Sequence, residues 1–405
     1  MYKIVKGGLT SAIGFQAAGI HAGLKKAKKD MALVVSAVPA VTAAVFTTSQ
    51  VKAAPVLLDM EHLQNAVTRA VISNSGNANA CTGALGYSNA LQMAERTAQH
   101  LECKKEEIFV FSTGVIGVQL PMKKVEAGIA KIVGELSPTG GHVAAQAILT
   151  TDTFTKECCV EVDLGGKKVT IGGAAKGSGM IHPNMATMFA MITTDAAVEK
   201  KLLQAMVQEI TNKTFNMITV DGDTSTNDTF MVMANGLSGM PLLASEQDAT
   251  YQEFYQALEY VSLTLSQLIA KDGEGATKFL TVEIIGAATE SDARTIAKSI
   301  CCSSLVKTAL FGEDANWGRI LAAAGYAGVV FDPYKVSITI SSLAGSILVA
   351  QNGTGLIFDE ARALTILKEK EITYLVEMGA GSAKATAWTC DFSYDYVKIN
   401  ASYRS

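Results

Sequence analysis

Thr187 stands between the small Ala186 and an apolar run, Met188 to Ile192, inside the stretch HPNMATMFAMITTDA at 182–196. The run reads as a short buried strand, so the hydroxyl sits at its mouth. A hydroxyl there either caps backbone groups or acts as a nucleophile. A threonine that opens a strand can act alone if the peptide bond before it is cut. Its freed α-amine, with an ordinary pKa of about 8, can then serve as the base for its own hydroxyl. The small Ala186 side chain lets Thr187 Oγ approach the Ala186 carbonyl for an initial N-to-O acyl shift. No histidine is needed. The five histidines (His21, His62, His100, His142, His182) are scattered, with no HxxxH or HExxH, so a metal enzyme or a Ser/His or Cys/His catalyst has little support. On composition alone the capping role stands beside the nucleophile.

Other constellations are weaker. The segment TVDGDTSTND at 219–228 offers Asp221, Asp223 and Asp228 in a polar turn. It lacks the spaced Glu that closes a calcium loop, so it reads as a tight turn with Asx hydrogen bonds, or as support for a site nearby. GGAAKGSG lacks the GK[ST] ending of a P-loop, and no GxGxxG follows a clean strand into a helix. Seven cysteines, Cys81, Cys103, Cys158, Cys159, Cys301, Cys302 and Cys390, include two Cys-Cys doublets and no CxxC. They read as reduced, mostly buried thiols.

The elements that must position these residues alternate along the chain. Ala70–Ser73 and Glu107–Ser112 are strand candidates, the first followed by SNSGNANACTG, read as a Gly/Asn/Ser-rich loop, and the second leading into STGVIG. Val198, Leu202, Leu203, Met206, Val207 and Ile210 share a helical face. A longer helix is expected from Ser245, where SEQD resembles a capping box, to near Gly273. Phe279–Ile285, Lys335–Ile340 and Ile372–Met378 read as strands, with a helix at Asp359–Lys370. This mixture predicts an α/β fold of mixed α+β layers. GGAAKGSGMIHPN, 172–184, holds four glycines and a proline and reads as a loop throughout.

Length and charge bound the rest. The chain has 405 residues, 49% of them apolar and 18% charged, with a formal net charge of −4. That suits a globular protein of two or three domains, or one large interlocked one, and gives no electrostatic reason to bind nucleic acid or an anionic membrane. The apolar stretch from Met31 to Phe46 is interrupted by Ser36, Pro39 and Thr42 and is short of the roughly 20 residues of a membrane helix. With no apolar core of a signal peptide at the start, a soluble, cytoplasmic protein is expected.

AKGSGMIHPNMATMFAMITTDA closely resembles the self-cleaving segment of the ornithine acetyltransferase family, the bifunctional glutamate N-acetyltransferases of the cyclic arginine pathway. TTDTFTKE (150–157), STGVIG (112–117), DGDTSTNDT (221–229), KDGEGATK (271–278), GEDANWGRI (312–320) and YDYVKINASYRS (394–405) resemble that family's blocks in its order. The resemblance implies a self-processing threonine-nucleophile fold like that of the N-terminal nucleophile hydrolases. A cut between Ala186 and Thr187 would leave an α chain, 1–186, and a β chain, 187–405, that stay associated, as paired αβ units with two of each.

Thr187 would take the acetyl group from N-acetylornithine as an ester and pass it to glutamate. Thr113 and Gly114 match the oxyanion pair, and Thr153, Lys176, Thr187, Glu274, Asn400 and Ser405 match the substrate-contacting positions. The resemblance leads one to expect Thr at the last position, where this chain has Ser405. Lys176 and the hydroxyls suit a carboxylate, and Glu274 suits the cationic δ-amine of ornithine. The resemblance implies no metal and no bound cofactor; acetyl-CoA is a second acetyl donor for some members. Two other readings compete: a self-processing aminopeptidase or amidohydrolase that uses water as acceptor, and an uncleaved ligand-binding protein.

Overall fold

The computed structural model describes residues 1–65, 67–182 and 188–401. Ala186, Thr187 and Ser405 lie outside the described residues. The chain forms two compact units, one of Met1–Gly177, Pro183–Asn216 and Thr224–Ile269, the other of Ser178–His182, Met217–Asp223 and Ala270–Ser405. Strands and helices alternate in both, bearing out the mixed α/β class.

In the first unit the strands are β1 (Tyr2–Val5), β2 (Phe15–Ile20), β3 (Met31–Phe46), β4 (Thr68–Asn77), β5 (Ile108–Val115), β6 (Lys156–Asp163), β7 (Lys168–Lys176), β8 (Phe189–Thr194) and β9 (Thr229–Ala234). They run in the order β1-β6-β7-β8-β9-β3-β4-β5, with β2 also on β3. The apolar stretch from Met31 to Phe46 is thus one strand of 16 residues. Its first half pairs with β2 and β4 and its second half with β9. The register with β4 shifts between Val35 and Ala40, around the exposed Pro39, where a missing N–H costs the ladder least.

Helices α1 (Ala54–His62), α2 (Gly83–Leu101), α3 (Met122–Val133), α4 (Gly141–Ile148), α5 (Lys200–Lys213) and α6 (Tyr251–Lys271) complete this unit, apart from the last two residues of α6. Leu203, Met206, Val207 and Ile210 form the buried face of α5, whereas Val198 lies before the helix, in a bridge with Leu243.

The stretch 172–176 is not loop but the buried end of β7. Its glycines are required by packing: a Cβ on Gly173 would lie 2.8 Å from the Met191 carbonyl oxygen, and one on Gly172 would strike the Gly8 carbonyl. The long helix also begins later than expected, at Tyr251. The Asp248 carboxylate instead accepts from the Ala244 and Ser245 amides, at 2.8 and 2.9 Å, closing a separate turn.

Helix α1 covers β5, which is the last strand of the sheet. His62 Nδ1 donates to the Ile108 carbonyl at 2.7 Å, and the Asp59 carboxylate accepts from the Val110 amide at 2.8 Å. An outer strand left bare would invite pairing with another chain. Asp59 is fully buried, and its Oδ2 has no hydrogen-bond partner among the described residues. Burial raises its pKa well above the carboxylate range, although the Val110 N–H opposes the shift. A folded-state pKa above the unfolded value gives stability that is present below the unfolded pKa and is lost as pH rises through the folded one. Asp59→Asn keeps the acceptor and removes the titration. Its melting temperature should therefore gain on wild type as pH rises above the ordinary carboxyl range, in parallel thermal melts; a constant difference would show that Asp59 does not titrate there.

The second unit holds β10 (Phe279–Ala287), β11 (Ser337–Ser342), β12 (Gly345–Gln351), β13 (Thr354–Gly355), β14 (Glu371–Glu377) and β15 (Ala383–Cys390), in the order β13-β12-β11-β14-β10-β15. Its helices are α7 (Glu290–Cys302), α8 (Ser304–Phe311), α9 (Trp317–Gly325), α10 (Glu360–Leu367) and α11 (Tyr394–Ala401). Asp359 caps α10 by accepting from Ala361 and Arg362 amides. The strand expected from Lys335 begins at Ser337, because Pro333–Lys335 form a 3₁₀ turn. All seven thiols are free, and four are buried.

Candidate active site

In the first unit Thr113 and Gly114 lie at the end of β5, beside the end of the parallel strand β4, with Gly114 opposite Gly76. Gly114 has φ +132, and a Cβ there would lie 2.5 Å from the Asn77 nitrogen and 2.7 Å from the Gly76 Cα. Only glycine fits. Behind it, Ser112 Oγ donates to Asn74 Oδ1 at 2.6 Å, and Asn227 Nδ2 donates to the Ala78 and Ser112 carbonyls at 2.6 and 2.8 Å. These bonds fix the two strand ends to the polar turn at 224–228.

Lys176 ends β7, opposite Phe189 of β8. Its buried ammonium donates to Thr113 Oγ1 at 3.1 Å. Two of the expected site residues, 63 positions apart, therefore meet. Met188, the residue after Thr187, is buried and its carbonyl accepts from the Thr229 amide at 2.9 Å.

Thr153 is exposed on the loop after α4. Its neighbour Asp152 is buried and was not singled out from the sequence, although TTDTFTKE holds it. Asp152 Oδ1 accepts from Lys156 Nζ and from the Gly177 amide, both at 2.7 Å, and Oδ2 accepts from the Thr150 amide at 2.9 Å. Burial works against its ionisation, but the Lys156 and Lys176 charges and the Gly177 N–H hold the carboxyl well below the usual range. The Asp–Lys spacing of four was the one available signal.

In the second unit Glu274 is buried, its amide donates to the Ser178 carbonyl at 2.9 Å, and Oε2 accepts from Asn400 Nδ2 at 2.8 Å. A Cβ on Gly179 would lie 2.6 Å from Glu274 Oε1, so the glycine makes room for the carboxylate. Asp221 accepts from the Met180, Ile181 and Asp223 amides at 2.6, 2.8 and 3.2 Å. It forms the expected Asx turn and also anchors the segment that leads to residue 182. Burial, then the charges of Asp221, Asp223 and Glu274, push the Tyr396 phenol far up. That acidic setting suits a cation. Tyr396 was missed because a lone tyrosine carries no spacing signal.

His182 Nδ1 lies 3.2 Å from Thr219 Oγ1 and 3.3 Å from Cys302 Sγ. Burial and the Lys298 charge pull its pKa down to about 4, so it is neutral near pH 7. No cluster of three metal-ligating side chains occurs among the described residues.

Comparison with known proteins gives the family of the chain. The model of the ArgJ family matches residues 16–405. A protein of Caldanaerobacter subterraneus named arginine biosynthesis bifunctional protein ArgJ is 54% identical over 405 residues, covering all of both chains. The protein of that name from Listeria monocytogenes is 48% identical over 406 aligned positions, again across both full lengths. The crystal structure of ornithine acetyltransferase with ornithine from Mycobacterium tuberculosis is 42% identical over 46% of this chain and 100% of its own, with a TM-score of 0.43. The chain belongs to the ArgJ family.

Proposed function

We propose that this protein moves an acetyl group from N-acetylornithine to glutamate through an acetyl ester on Thr187, formed after a cut between Ala186 and Thr187. Thr187 Oγ attacks the acetyl carbonyl, the C–N bond breaks, and ornithine leaves with the proton that the Thr187 α-amine took from the hydroxyl. The glutamate amine then attacks the ester, the C–Oγ bond breaks, the amine's proton passes by way of the Thr187 α-amine to Oγ, and N-acetylglutamate leaves. The Thr113 hydroxyl and Gly114 N–H hold the oxyanion in both halves. Lys176 and Thr153 take the substrate carboxylate. Glu274, with Asn400 beside it, takes the δ-ammonium, and Ser405 adds a hydroxyl.

The observation that carries this reading is the Lys176–Thr113 hydrogen bond, 3.1 Å long, at the strand end where only glycine fits. It joins a cation for a carboxylate to a hydroxyl and an N–H for an oxyanion. The named relatives support the same chemistry. Thr187 and Ser405 enter through the family's motif alone.

The decisive assay gives the processed enzyme N-acetylornithine with and without glutamate. Ornithine release should depend strongly on glutamate, and double-reciprocal lines at several glutamate concentrations should run parallel, as a covalent intermediate requires. Glutamate-independent release would make the protein an amidohydrolase, and intersecting lines would remove the ester. Acetyl-CoA offered alone tests the second donor. We place the enzyme in the cytoplasm as two α and two β chains; no described helix is long and apolar enough to cross a membrane.

A further inference from the structure

The lysine-rich loop HAGLKKAKKD, 21–30, looks like a solvated run of charge. Its fold is not that of a loose loop. Asp30 is fully buried, and its carboxylate accepts from the amides of Ala22, Gly23, Leu24 and Lys25 at 2.6, 3.1, 2.7 and 2.8 Å. Asp30 O also accepts from the Ser75 amide at 2.9 Å, at the end of β4. The loop is thereby wound around one carboxylate and fastened beside Gly76.

This winding turns Lys25 inward while Lys26 and Lys28 stay exposed. The Lys25 stem covers Gly76: a Cβ there would lie 3.1 Å from Lys25 Cγ. Gly76 is the partner of Gly114. The Lys25 ammonium donates to the Leu149 carbonyl at 2.5 Å and to the Lys29 carbonyl at 3.1 Å. Leu149 caps α4 and opens the loop that carries Asp152 and Thr153. One side chain thus spans from the glycine pair to the Thr153 loop.

We propose that Lys25 is a positioning residue for acetyl transfer, holding the 149–155 loop against the end of β4 and adding a second positive charge near Lys176 that favours carboxylate-bearing donors. The substrate part of this proposal rests on the function proposed above; the tie to Leu149 does not. The groups facing the ammonium are Asp30 and Lys28 on its own loop, Asp152 after α4, and Lys176 on β7. Burial pulls the Lys25 pKa down to about 8; Asp30 and Asp152 oppose the shift, and Lys28 and Lys176 add to it. A substrate carboxylate favours the charged form, so the charge and its benefit to binding are lost as pH rises through about 8.

Lys25→Met keeps an apolar stem over Gly76 and removes the ammonium, and Lys25→Arg keeps a charge that does not titrate. The Michaelis constant for N-acetylornithine should rise about fivefold or more in Lys25→Met with kcat little changed, a plausible size for one partly screened charge. Preference for N-acetylornithine over its α-carboxamide should shrink by the same factor. Wild type should show the constant climbing above about pH 8; Lys25→Arg should keep a low, flat constant. An unchanged Michaelis constant and the same alkaline climb in Lys25→Met would overturn the electrostatic role.

Hydrogen–deuterium exchange without substrate tests the tie on its own. Residues 149–155 should exchange faster in Lys25→Met than in wild type at one fixed pH, and Lys25→Arg should restore protection. Equal uptake in wild type and Lys25→Met would overturn the positioning role, even in a protein that proved unable to transfer acetyl groups.

Discussion

On a denaturing gel, Thr187→Ala should run as one full-length band where wild type should give two, the second beginning Thr-Met-Phe. The cut requires a hydroxyl on residue 187 to attack the Ala186 carbonyl, and alanine has none. Activity should vanish as well, because both the ester-forming oxygen and the freed α-amine are lost. The effect is all-or-none, not graded. Thr187→Ser keeps the oxygen and should still split, more slowly, because serine lacks the methyl that restricts the rotamer. If Thr187→Ala still splits, an outside protease makes the cut and the acyl-shift mechanism fails.

Gly114→Ala should lower kcat by about a hundredfold or more, the usual cost of losing one oxyanion donor, about 2.7–4 kcal/mol. A Cβ at Gly114 would sit 2.5 Å from the Asn77 nitrogen, against backbone that cannot turn aside as a flexible side chain would. The strand end must shift, and the Gly114 N–H shifts with it. Gly117→Ala supplies the control. Gly117 also has positive φ, +82, but open space where its Cβ would be, so that variant bears strain without displacing the donor. Initial rates on processed enzyme decide it. A Gly114→Ala enzyme within threefold of the Gly117→Ala control would remove Gly114 from the oxyanion role.

Local pattern in the sequence located β5, β8, β10 and β14 to within a few residues, since short apolar runs and their turn residues are local signals. Strand β4 was found but runs on to Asn77, through the start of the stretch read as loop, because its polar end is held by pairing with β5. The α5 face was legible for the same reason. The segment 172–176 was misread because glycine has two meanings: freedom in a loop, or absence of bulk where backbones crowd. Deciding between them needs Gly8 and Met191, far away in the chain. The motifs supplied the candidates, and Lys176 does meet Thr113 and Asn400 does meet Glu274, but the residues that support them were not legible. Asp30 wraps its loop and Asp152 reaches Gly177, 25 residues on, by contacts that no spacing announces; only the Asp152–Lys156 spacing of four was there to be read. Lys25 hid in a run of lysines that resembles a solvent-facing loop.

The strand order in the first unit has a consequence for the history of each molecule. A cut after Ala186 would leave β1 to β7 on one piece and β8 and β9 on the other, yet β8 lies on β7 and β9 lies on β3. The two pieces would share one sheet, with the strands of the second inserted between strands of the first. Separating them means breaking two full ladders, and reassembling them means closing the same pairs between free chains instead of within one. Maturation would then be irreversible: the uncut chain folds as a single polymer, and the cut one inherits a structure it has lost the means to rebuild. Its lifetime would be set by the rate of opening rather than by an equilibrium.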